Sequence, residues 1–93
     1  MKINDWLKEN HDKIWERIRN EGSSYVGREM STPFEITSWI TLLEVEAAGF
    51  NINSVKIQDA VIHFSLQILK EVNPNYFLVE KARGNLFANM DLN

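Results

Sequence analysis

The chain predicts an α+β domain: an N-terminal helix, an antiparallel sheet of three to four strands and a C-terminal helix, with the helices packed on one sheet face. Three observations lead there. Ile62, Phe64, Leu66 and Ile68 alternate with His63, Ser65 and Gln67 across residues 61–69, the period of a strand with one wet face. Residues 34–46 are rich in Ile, Thr, Trp and Val, which suit a pleated surface. Ile3, Leu7, Ile14 and Ile18 recur instead at helical spacing.

Taken in order, residues 4–21 predict one amphipathic helix, with Trp6 and Trp15 flanking the apolar stripe. Asn4 or Asp5 suits its N-cap, Glu9 precedes Lys13 by four residues, and Gly22 suits a left-handed end. Residues 25–31 predict a short strand or arm, and Pro33 a break before the next strand. In a strand over 34–46, Trp39, Thr41, Leu43 and Val45 share one face, and Ser38, Ile40, Leu42, Glu44 and Glu46 the other. Ala47, Ala48 and Gly49 suit a hairpin, with Gly49 free to take positive φ, and residues 50–58 form its partner strand. After the alternating strand, Asn73 and Pro74 open a helix over 74–90, with Val79, Ala82, Leu86 and Met90 along one side and Gly84 as a weak point.

With 93 residues the chain makes one domain, 1–93. Its 25% charged residues, and the lack of any apolar run long enough to cross a bilayer, predict no membrane association. The start, Met1 to Asp5, turns polar at once and does not read as a secretory signal. Zero cysteines remove disulfides and thiolate chemistry, which fits a cytoplasmic setting. The net charge is −3, and its distribution is uneven. Residues 29–59 hold Glu29, Glu35, Glu44, Glu46 and Asp59 against Lys56 alone, while the flanks are nearly balanced. Such a surface opposes nucleic acid and favours basic partners, or simply keeps a strand face solvated.

No catalytic constellation stands out. His11 and His63 are the only histidines, and nothing in the sequence brings them together. Glu44 and Glu46 project from one strand face, but without the further ligands a metal needs. Gly22, Gly27, Gly49 and Gly84 form no phosphate loop, and Ser23 and Ser24 lack a nucleophile-elbow context. Arg17, Arg19 and Arg28 are interleaved with Glu16, Glu21 and Glu29, which blunts a phosphate-binding reading. Trp39 is either a core residue or an exposed anchor beside carboxylates. No metal and no cofactor are expected.

The order of residues 36–90 is similar in layout to small bacterial toxin-immunity proteins of the TriTu family. The likeness rests on a strand ending at Glu44–Gly49, a second through Val55–Ile57, a third through Ile62–Ile68, and a helix after Asn73–Pro74. Family members carry an aromatic-Glu-small-Gly turn at the first hairpin. Ala48 and Gly49 match it, while Glu46 and Ala47 stand in the aromatic and acidic positions. The resemblance implies a non-catalytic immunity protein that binds and neutralises a bacterial toxin, with no cofactor.

The expected function is therefore a toxin inhibitor, or antitoxin, acting through an acidic sheet surface on a basic toxin or nuclease domain. Glu35, Glu44, Glu46 and Asp59 would supply complementary charge, and Trp39 the anchor. The protein would be a monomer or weak dimer, and burying ~800 Å² of it would suffice for a stable complex. Three alternatives stay open: a phage or mobile-element inhibitor of a host defence nuclease, a small enzyme or ligand-binding domain whose site assembles only in three dimensions, and a self-associating module.

Overall fold

The computed structural model describes residues 1–22 and 32–72. It contains four helices: α1 (Ile3–Glu9), α2 (His11–Glu21), α3 (Pro33–Ala47) and α4 (Val55–Val72). Among the described residues there is no strand, so the predicted α+β fold and its antiparallel sheet are incorrect and the protein is helical. The predicted arm at 25–31 and the predicted helix at 74–90 lie outside the described residues.

The alternating segment is the centre of α4. Its buried residues are Ala60, Val61, Ser65, Leu66, Ile68 and Leu69, and the steps 61–65–68 and 65–69 are those of a helix face. Ser65 misled the pattern. It counts as polar, yet it is completely buried and its Oγ donates to the Val61 carbonyl at 2.7 Å. A serine that bonds to its own helix in this way is a small core residue.

The same inversion occurs in α3. Thr37 and Thr41 are buried with Phe34, Ile36, Ile40 and Val45, and Thr41 Oγ1 donates to the Thr37 carbonyl at 2.8 Å. β-Branched residues fit a helix once their faces are buried on both sides, because packing overrides their weak propensity. Pro33 does not precede a strand; it occupies the first turn of α3. Thr32 caps that turn, its Oγ1 accepting from Glu35 N at 3.2 Å and donating to Glu35 Oε1 at 2.9 Å.

The predicted hairpin at Ala47–Gly49 is the end of this helix. Gly49 has the positive φ expected of it, 98°. Gly49 N–H donates to Glu46 O and Phe50 N–H to Val45 O, closing the last turn as a Schellman motif. Residues 50–54 then wind tightly into α4. Asn53 N–H donates to Asn51 Oδ1, and Gln58 Nε2 donates back to Ile52 O.

The N-terminal helix forms, but in two pieces. Asn10 leaves helical geometry at φ −101°, ψ 10°, and its Nδ2 donates to Trp6 O at 2.8 Å. Neither Asn4 nor Asp5 caps α1, which starts one residue earlier behind Lys2 with no side-chain cap. Gly22 ends α2 in the right-handed region, not the left.

The core joins all four helices. Ile3, Leu7, Ile14, Val45, Ala60 and Val61 are buried together, with Trp6, Phe50, Ile57 and Phe64 packed around them. α3 and α4 form the most extensive pair; α2 covers α3, and α1 covers α4.

Candidate functional site

α3 and α4 leave an open groove on their outer side. Phe34, Glu35, Ser38, Trp39 and Leu42 form one wall, and Gln58, Val61 and Ile62 the other, around a volume of about 530 Å³. The lining is mostly apolar, with Glu35 as its one charged group among the described residues. Trp39 remains 40% exposed, a large aromatic left open to solvent. Ser38 Oγ is buried in the α3 wall and has no hydrogen-bond partner among the described residues.

Helix periodicity explains this surface. Glu35, Trp39, Leu42 and Glu46 follow one another by four, three and four residues. At 100° per residue they fall within about 60° of arc, a single outer stripe of α3 about 16 Å long. A carboxylate stands at each end, and Trp39 and Leu42 lie between. α3 carries three glutamates and no lysine or arginine. Glu46 sits in its last turn, where the helix dipole disfavours negative charge.

The five residues predicted to contact a partner are thus divided. Glu35 and Trp39 line the groove, and Glu46 continues their stripe. Glu44 turns the other way. It is only 13% exposed at the α2–α3 contact, 3.4 Å from Arg17 Nη1 and 3.8 Å from Lys13 Nζ. Burial works against the Arg17 charge, but Glu21 and Glu44 outweigh it and raise its pKa above the ordinary value. Glu44 is therefore an internal ion-pair partner, not a free contact. Asp59 lies on the opposite side of α4, in a cleft with Ile3, Asn4, Lys56 and His63. The acidic surface expected of a sheet does not exist as one patch, because a helix spreads residues that a strand would align.

A second cleft, between α4 and the first two helices, brings together the two histidines. His11, Asp12, Lys8 and Glu9 face His63, Phe64 and Gln67 there. His11 stands edge-on to Phe64, ring centres 5.8 Å apart. Its Nδ1 is 3.1 Å from Asp12 Oδ1 and its Nε2 3.1 Å from Glu71 Oε2. The Asp12 hydrogen bond, opposed by partial burial and reinforced by Glu71, raises the His11 pKa above its usual value. With both ring nitrogens engaged by carboxylates, His11 is arranged to keep its proton and link α2 to α4 rather than to serve as a general base. Among the described residues no cluster of metal-ligating side chains is present.

Sequence reasoning placed Trp39 and Glu35 but missed Phe34, Ser38, Leu42, Gln58, Val61 and Ile62 beside them. Two local signals pointed to the helix that assembles this wall: Thr32, Pro33 and Glu35 spell an N-cap, a first-turn proline and a capping-box acid, and Glu35, Trp39, Leu42 and Glu46 have helical spacing.

The strands expected at 44–49, 55–57 and 62–68 from a toxin-immunity layout are instead the end of α3 with the turn after it, and two parts of α4. Among the described residues no helix is long and apolar enough to cross a membrane. No protein-family model matches the chain, no curated protein matches it, and no solved structure matches it.

Proposed function

We propose that this protein is a non-catalytic binding module that engages a protein partner through the α3–α4 groove. The observation that carries this reading is Trp39, 40% exposed beside Leu42, Val61 and Ile62 in an open, mainly apolar channel. A large aromatic costs free energy when left in water, and tryptophan is the side chain most often found anchoring protein contacts. Neutralising a basic toxin or nuclease domain in the cytoplasm is the narrower form of this reading. The acidic excess of residues 29–59 supports it, now with Glu35 and Glu46 rather than Glu44 as the available charges.

The test uses wild-type and Trp39→Ala protein as baits in the native host, followed by reconstitution of any captured protein from purified components. A specific partner whose Kd rises at least tenfold with Trp39→Ala supports the reading. A partner bound equally by both proteins overturns the groove as the contact.

One observation favours a second reading, a small-ligand site. His11 and His63 share a cleft with Lys8, Glu9 and Asp12. A ligand there would shift the His63 ring resonances in NMR spectra and leave Trp39 unaffected.

A further inference from the structure

We infer that the groove takes an amphipathic α-helix of the partner that is apolar at its centre and carries Lys or Arg on both flanks. This rests on the groove being the contact surface and adds the chemistry of what fills it. The outer stripe of α3 supplies the pattern to be matched: a carboxylate at Glu35, Trp39 and Leu42 in the middle, and a carboxylate at Glu46. The two acids are eleven residues apart, a span of about 16 Å or three helical turns. A partner helix lying along the channel meets that span with cations at the same spacing and fills the interval with two or three apolar side chains.

Several independent features require the charge to be positive. Among the described residues no lysine or arginine lines the groove, and α3 has none anywhere. Glu46 sits at the negative end of its own helix, where a cation from outside relieves an unfavourable field. Glu35 has one carboxylate oxygen engaged by Thr32, which fixes the side chain against the wall and leaves its charge facing the channel. The Trp39 ring is half open to solvent, and an exposed indole face attracts an ammonium or guanidinium while packing against its methylene stem. The opposite wall contributes Val61 and Ile62 for apolar contact and Gln58 as a polar edge. An acidic or uniformly apolar helix satisfies only part of this pattern.

The experiment titrates the full chain with three synthetic helical peptides that share one leucine face. One carries Lys at two flanking positions eleven residues apart, the second Glu at those positions, and the third Gln. Calorimetry at low salt reads the affinities, and sedimentation equilibrium reads self-association. The lysine peptide is expected to bind at least about tenfold more tightly than the glutamate peptide, with the glutamine peptide between them, and added salt is expected to narrow the gap. Glu35→Gln and Glu46→Gln are each expected to weaken the lysine peptide several-fold without affecting the glutamine peptide. Glu35→Gln retains a capping-box side chain, so its effect reports charge and not loss of the helix start. Trp39→Ala is expected to abolish all three interactions while leaving the circular dichroism spectrum unchanged.

Equal binding of the lysine and glutamate peptides overturns the inference, as does failure of all three to bind. Dimerisation of the chain that Trp39→Ala abolishes also overturns it, because a second copy would then be the occupant. If the peptides fail while a native partner still depends on Trp39, the binding-module reading stands and only the helix assignment falls. If a native partner ignores Trp39, the module reading falls first.

Discussion

Four hydroxyl side chains of α3 and α4 are taken out of water, and they meet burial differently. Thr41 and Ser65 donate to carbonyls one turn back in their own helices. Thr37 is buried too. Among the described residues, Ser38 alone keeps a buried side-chain oxygen with no partner. A hydroxyl removed from water without a replacement bond costs on the order of 1–3 kcal/mol. Ser38→Ala removes that cost and substitutes the best helix former. It is expected to raise the stability of the free protein by about 1 kcal/mol, read as a higher urea midpoint at unchanged slope. A lower midpoint would show that the hydroxyl is bonded in solution. These same residues explain why the sequence suggested a sheet. Counting Ser65 as polar turned a helical core stripe into an alternation, and counting Thr37 and Thr41 as strand formers did the same for α3. Nothing in a single sequence distinguishes a serine that faces water from one that bonds to its own backbone in a core.

The helices themselves are bounded by local chemistry that was legible in part. Gly49 was recognisable as a residue needing positive φ, although its role is to end a helix and not to turn a hairpin. A methyl group placed on Gly49 meets no atom within 4 Å, so substitution there tests backbone strain alone. Gly49→Ala is expected to cost about 1 kcal/mol in thermal or urea unfolding, with no change in the native spectrum. Where α2 meets α3, Glu44 depends on Arg17, which also bonds Glu21 at 3.0 Å. Arg17→Met strips a mostly buried carboxylate of its nearest cation and is expected to destabilise by about 2 kcal/mol. Adding Glu44→Leu to it should recover much of the loss, because an apolar pair replaces a mostly buried charge left with only the exposed Lys13. If the double variant is as weak as the single one, packing rather than charge accounts for the effect. Glu44 shows why the candidate site was only half visible: Glu44 and Glu46 share a strand face but lie about 200° apart on a helix. Helical spacing, unlike strand spacing, selects Glu35, Trp39 and Glu46 together.

At the scale of the molecule, the link between His11 and Glu71 joins residues sixty positions apart and holds α2 to α4. Because the folded-state pKa of His11 is raised, chiefly by Asp12, the charged imidazole stabilises the fold. That contribution is complete below the unfolded value near 6.5 and is lost as pH rises through the higher folded value. His11→Gln is therefore expected to lower the urea midpoint more at about pH 5.5 than at about pH 8, and Glu71→Gln to follow the same trend. An equal effect at both values would mean that the ring acts by packing on Phe64 alone. Residue chemistry identified the histidines, but only the three-dimensional fold brings His11 to Glu71 and His63.

The order in which the helices touch has a kinetic consequence. Among the described residues α1 meets α2, α2 meets α3 and α3 meets α4, each with its neighbour along the chain; α1 on α4, with the His11–Glu71 link beside it, joins distant segments. Neighbour contacts close small loops and form quickly, so such a topology belongs with chains that fold in about microseconds to milliseconds. Docking of α1 and His11 onto α4 is then expected as the closing step of assembly. Transient exposure of Ile3 and Leu7 should precede any fluctuation that uncovers the α3–α4 pair.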